Sequence, residues 1–168
     1  MTIIRILIDF YPAQPAYESG RLVHYLISGM KTDINKGILC TIDFSDGSTE
    51  ALKWAIKFSG ELGCNLTILF AYRLSKNVSE EVVAWKKKME TDAREKFTAI
   101  ENEYLKGTPL KYEFRTEVGF VSDRIEEYSK KNPFSFLVMD KNMCTKSKDT
   151  FEELMEHLNV PMIVIPNN

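Results

Sequence analysis

The sequence predicts an α/β domain over residues 37–168: a doubly wound, five-stranded parallel sheet with helices on both faces. Three observations carry that expectation. From Gly37 onward, short apolar runs alternate with segments of helical periodicity. Four of the runs are apolar along their length, as strands buried on both faces of a parallel sheet are. The other alternates apolar with charged residues, the mark of an edge strand with one wet face. Five strands alternating with four helices imply right-handed crossovers and a doubly wound sheet.

The first run, "GILCTIDF" (Gly37 to Phe44), is apolar and contains β-branched residues. Behind it Ala51, Leu52, Ala55, Phe58, Ser59 and Leu62 recur at helical spacing. Ser45, Asp46 and Ser48 are candidate N-caps, and Gly63 stands where such a helix would stop. "NLTILFAY" (Asn65 to Tyr72) is the second strand. A long helix is expected from about Ser79 to Leu105, with Val82, Trp85, Met89, Ala93, Phe97, Ile100 and Tyr104 on one stripe and charge on the other.

In the third strand Leu110, Tyr112, Phe114, Thr116 and Val118 alternate with Lys111, Glu113, Arg115 and Glu117. A helix from about Ser122 to Lys131 follows, turning Val121, Ile125 and Tyr128 inward. "FSFLVMD" (Phe134 to Asp140) is the fourth strand, followed by a loop. Thr150 and Glu153 then form a capping-box pattern opening a helix with Phe151, Leu154 and Leu158. The last strand lies between Pro161 and Pro166.

Residues 1–36 are expected to be an accessory leader that the rest does not need for folding. Arg5 and Asp9 interrupt its apolar start, against a signal peptide. Deleting residues 1–29 is expected to leave cooperative thermal unfolding intact; a chain that no longer melts cooperatively contradicts this. No apolar run reaches the roughly 20 residues of a membrane helix.

Composition narrows the function classes. At 168 residues, 44% hydrophobic, 27% charged and with net charge −2, the chain suits one folded domain and carries no strongly basic face for nucleic acid. Three cysteines, Cys40, Cys64 and Cys144, have neither disulfide nor metal spacing. The expected setting is the reducing cytoplasm. Cys40 and Cys64 read as core residues, Cys144 as a loop residue. His24 and His157 lie on separate segments, so no catalytic constellation is legible and no enzyme is expected.

The segment "GILCTIDFSDGSTEALKWAIKFSGELGCNLTILFAY", with Asp43 ending a strand and Ser45 following, resembles the opening half of a universal stress protein domain. "EVGFVSDRIEEYSKK", "FSFLVMDKN" and "ELMEHLNVPMIVIP" are similar to later segments of that family in the same order. The resemblance runs from about Lys36 to Pro166. It implies the strand order 3-2-1-4-5 of adenine nucleotide alpha hydrolase-like folds, which agrees with a third strand at the edge. It also implies a role in stress adaptation and, in many members, ATP held between the first and fourth strands.

In ATP-binding members the phosphate loop has the pattern G-x2-G-x9-G-[ST], whose glycines let backbone N–H groups approach the phosphates. Here Asp140 and Met143 replace the first two glycines, Lys148 and Asp149 align with the final pair, and the loop is several residues shorter. Each lost charge-assisted hydrogen bond is worth roughly 1.5–3 kcal/mol. Thr41, Ile42, Asp43, Ala71 and Met139 match the family positions lining the adenine side. The resemblance therefore implies the branch that does not bind ATP. The alternative is a nucleotide-binding member with an atypical loop bearing Lys141, Lys146 and Lys148, in which Asp140 and Lys141 join the site. Asp43 would equally serve to hydrogen-bond the next turn and cap the first helix, and that is its expected role. A phosphoacceptor role for it lacks the acidic partners. The resemblance further implies a homodimer through the last strand, Met162, Ile163, Val164 and Ile165, whose edge carries no protecting charge. The leader would compete for that edge if it paired there first.

Overall fold

The computed structural model describes residues 36–74, 82–145, 158 and 160–166. Strand β1 (Ile38–Ile42) is buried along its whole length, as its uninterrupted apolar run demands. The chain then enters α1 (Asp46–Leu62), with Ser45 as N-cap: its side chain accepts from the Ser48 N–H at 3.3 Å. Gly63 ends α1 at φ 64°, a left-handed cap. The buried stripe is Ser48, Ala51, Leu52, Ala55, Phe58 and Ser59, close to the one the spacing predicts.

After β2 (Leu66–Tyr72) comes α2 (Val82–Ile100), which passes without a break into a π-helical turn over Glu101–Leu105. The expected start near Ser79 lies outside the described residues. β3 (Tyr112–Val118) is followed by α3 (Val121–Lys131), and β4 (Phe136–Asp140) by α4 (Lys141–Thr145). β5 (Met162–Ile165) completes the sheet. All pairings are parallel and the order is β3-β2-β1-β4-β5, the order the family resemblance implies.

Two details differ from expectation. The segment after β4 is not a loop at first, because the absence of glycine or proline lets the backbone turn helical directly at Lys141. Leu110 precedes β3 rather than belonging to it, although it still packs on the core. Residues 1–35 of the leader, the predicted capping box at Thr150 and Glu153, both histidines, Lys146 and Lys148 lie outside the described residues. Leu158 is described, and it is buried as its pattern requires.

Side chains alternating along the strands build two cores. Ile38, Cys40 and Ile42 face α1 and α2 together with Ile68, Val138 and Phe97. Leu39, Leu69, Leu137 and Met139 face the other way, onto Ile125 and Leu158. β3 is an edge strand, and Arg115 bridges Glu113 and Glu117 at 3.3 and 3.2 Å on its wet face. Among the described residues no helix is long and apolar enough to cross a membrane.

Gly37 opens β1 at φ +88°, and a Cβ there would lie 2.9 Å from the Asn65 carbonyl oxygen. That oxygen accepts the Ile38 N–H at 2.8 Å, so it has no room to withdraw. Gly37→Ala is accordingly expected to lower the unfolding free energy by about 2–3 kcal/mol, read as a shift of the urea midpoint. An unchanged midpoint contradicts this register.

Candidate functional site

In the observed order the chain runs outward from β1 to β3 on one side and returns to build β4 and β5 on the other. The connections therefore diverge at the carboxyl ends of β1 and β4, where open α/β sheets leave a crevice for ligands. The sequence-predicted residues converge there. Cys40 pairs with Val138, so Thr41 and Met139 follow side by side, one residue further along. Ala71 lies one residue past the Ile42–Phe70 pair, which sets it beside Asp43. Asp140 pairs with Ile165 at the end of β4, and Lys141 opens α4.

These residues differ in what they offer a ligand. Ile42 and Met139 are spent on the two cores, on opposite faces of the sheet. Thr41 and Asp140 are wholly buried, Asp43 and Ala71 half-buried, and Lys141 exposed.

Asp43 is stitched into the turn that starts α1. Its Oδ1 accepts from the Ser45 N–H at 3.1 Å and from the Ser45 hydroxyl. Its own N–H donates to Ser48 Oγ at 3.2 Å, and that hydroxyl donates onward to the Ser45 carbonyl at 3.0 Å. The carboxylate thus holds the turn, as expected, but it does not cap the helix: the side chain of Ser45 does that. Between Asp43 and Ser45, Phe44 takes the left-handed conformation at φ 62°, at a cost of about 1–2 kcal/mol. Its ring offsets that cost by packing 4.9 Å from Phe70 and 6.3 Å from Phe114, with Lys96 Nζ 5.6 Å above it.

Met143 adds what residue types alone did not disclose. It stands where the family resemblance implies the second glycine, and its Sδ accepts from the buried Thr41 hydroxyl at 3.8 Å. Its side chain packs against the core that holds Leu39 and Met139. The sequence signalled a methionine at this position; it did not signal that its side chain turns back onto Thr41 and the core.

Other groups are quieter. Burial pushes the thiols of Cys40 and Cys64 up, which keeps both protonated and unreactive at neutral pH. The side chain of Cys144 lies outside the description. Among the described residues no group of three or more His, Cys, Asp or Glu is placed to hold a metal ion. A cavity of about 350 Å³ opens at the opposite, amino end of the sheet, lined among others by Lys36, Asn65, Lys111, Tyr112, Tyr128 and Phe134.

Comparison with known proteins agrees with this architecture. The hypothetical protein MJ0577 superposes with a TM-score of 0.68 at 22% identity, over 80% of this chain and 98% of that one. Universal stress protein UspA from Lactobacillus plantarum gives 0.63 at 18% identity, over 78% and 97%. The universal stress protein from Archaeoglobus fulgidus in complex with dAMP gives 0.54 at 15% identity, over 78% and 98%. None of the curated proteins matches the chain. The family model described as Universal stress protein family matches residues 35–166, and the chain belongs to that family.

Proposed function

We propose that this protein serves stress adaptation by homodimerisation or protein–protein contact, as a member that neither binds ATP nor catalyses a reaction. The observation that supports this most is Met143 standing in the switch-point crevice against Thr41, where an ATP-binding member would carry a glycine. The wholly buried Asp140 sets a carboxylate where the resemblance implies phosphate oxygens. Neither residue offers a triphosphate the bare backbone that a glycine would. What remains on the adenine side gives millimolar affinity at best, about −4 kcal/mol.

β5 is the sheet edge proposed to pair with a second copy. Met162–Ile165 is short, uncharged and apolar, without the Arg115–Glu ladder that guards β3. Antiparallel pairing of this edge across a two-fold axis closes the assembly at two copies.

The second reading, an adenine-nucleotide binder, draws on the dAMP bound by the Archaeoglobus fulgidus relative and on exposed Lys141 at the start of α4. Identifying any nucleotide that co-purifies with the protein separates the two. The expected result is none; stoichiometric ATP or AMP would favour the second reading.

A further inference from the structure

We propose that the cavity at the amino end of the sheet, between the starts of β2 and β3 and the end of α3, binds a small planar aromatic carboxylate. This site is separate from the switch-point crevice and goes beyond the function proposed above.

Strand register builds one wall. Leu66 pairs with Tyr112 and Thr67 with Glu113, so β2 and β3 start level. Asn65 and Lys111 each stand one residue before the first pair, on neighbouring strands about 4.8 Å apart. Side chains alternate along a strand, which puts both on the face of Thr67 and Glu113. That face looks toward α3, because the Thr67 hydroxyl lies 2.9 Å from the Tyr128 hydroxyl. The opposite wall is aromatic, formed by Tyr128 and Phe134 with ring centroids 6.0 Å apart. Phe134 is buried, and the Arg115 guanidinium lies over the Tyr128 ring at 5.6 Å, so this wall is already fixed in place. The enclosed volume of about 350 Å³ falls within the roughly 300–1,000 Å³ of small-molecule pockets.

The polar groups decide what fits. Among the described residues, no hydrogen bond or ion pair engages the Lys111 ammonium or the carboxamides of Asn65 and Asn132. All three residues line the cavity. Glu113, the carboxylate in the lining, is already held by Arg115 at 3.3 Å, which leaves the Lys111 charge uncompensated. Lys130 and Lys131 stand in the last turn of α3, where they offset the negative end of its dipole. An ammonium and two carboxamides supply the donors that a carboxylate accepts. The Tyr128–Phe134 wall takes the face or edge of a flat ring. An inorganic anion has nothing to set against that wall, and a neutral ring leaves Lys111 unused. The aromatic acid uses both.

The probe is trans-cinnamate, titrated into the nitrogen-labelled full chain and followed by NMR. Wild type is expected to bind it with a Kd of about 1 mM or tighter, shifting the side-chain amide resonances of Asn65 and Asn132. Lys111→Met keeps the stem and drops the charge, and is expected to bind roughly fivefold more weakly. Lys111 is exposed, so the substitution leaves the core untouched. Cinnamamide, the neutral isostere, is expected to bind wild type roughly fivefold more weakly as well, and to lose nothing further in Lys111→Met. No saturable shift in wild type, or equal affinity for acid and amide, overturns the proposal. Cinnamate shifts confined to Thr41, Asp43 and Asp140, at the other end of the sheet, overturn it too. ATP bound at those residues with cinnamate still held at Asn65 and Asn132 would contradict the proposed function and uphold this site.

Discussion

Phe97→Ala is expected to lower the unfolding free energy by about 3–5 kcal/mol, a large part of the roughly 5–15 kcal/mol that holds a domain together. The cause lies in how little of α2 reaches the core. Of its residues only Ala93 and Phe97 are fully buried, and the opposite face is charged. Phe97 is wholly inaccessible and stacks on Phe114 with ring centroids 4.1 Å apart and planes 5° from parallel. Arg94 lies over both rings, at 5.9 and 6.0 Å. Truncation leaves a cavity between helix and sheet at the point where α2 is anchored. Phe120→Ala is the matched control, since Phe120 is half-exposed and its loss should cost little. Urea denaturation of the two variants measures the contrast. Equal, small losses would mean that α2 does not dock through Phe97.

The second large effect is expected in assembly. Ile163→Lys should convert the proposed dimer to monomer at micromolar concentration, as read by light scattering. Ile163 sits in mid-strand on β5, paired with Val138 on its inner side. Across a two-fold axis each lysine would face the corresponding strand of the other copy, so two like charges meet at the closing edge. Far-ultraviolet circular dichroism distinguishes dissociation from unfolding, and the lysine stem retains apolar contact with the core while its ammonium reaches water. A wild-type monomer in the same measurement refutes the dimer outright.

The central architecture was legible because it rests on long, repeated signals. Ile38–Ile42 and Phe136–Asp140 are buried at every position, and unbroken apolar runs are what central parallel strands look like in sequence. The Lys and Glu alternation around Tyr112 to Val118 announced an edge because one face of that strand meets water. α4 was not legible: five residues carry too little periodicity, and an isolated turn of helix has no cooperative signature.

At the candidate site the placement of the strand ends was legible, and the contacts made there were not. Strand ends locate Thr41, Asp43 and Asp140, because the topology that brings them together follows from the order of elements. The left-handed Phe44 was hidden, since a single backbone angle leaves no pattern when the residue is not glycine. The Thr41–Met143 contact was hidden as well. It joins residues 102 positions apart, and only packing decides which way a methionine turns.

The most direct measurement of the central claim is a calorimetric titration of the purified full chain with ATP and magnesium. With Asp140 and Met143 where the family resemblance implies glycines, and with Met143 Sδ accepting from the Thr41 hydroxyl, the expected result is no heat of binding below millimolar ATP. Saturation at low micromolar ATP, or ATP recovered in stoichiometric amount from the denatured protein, would contradict it and return the lysines after β4 to the site as phosphate ligands.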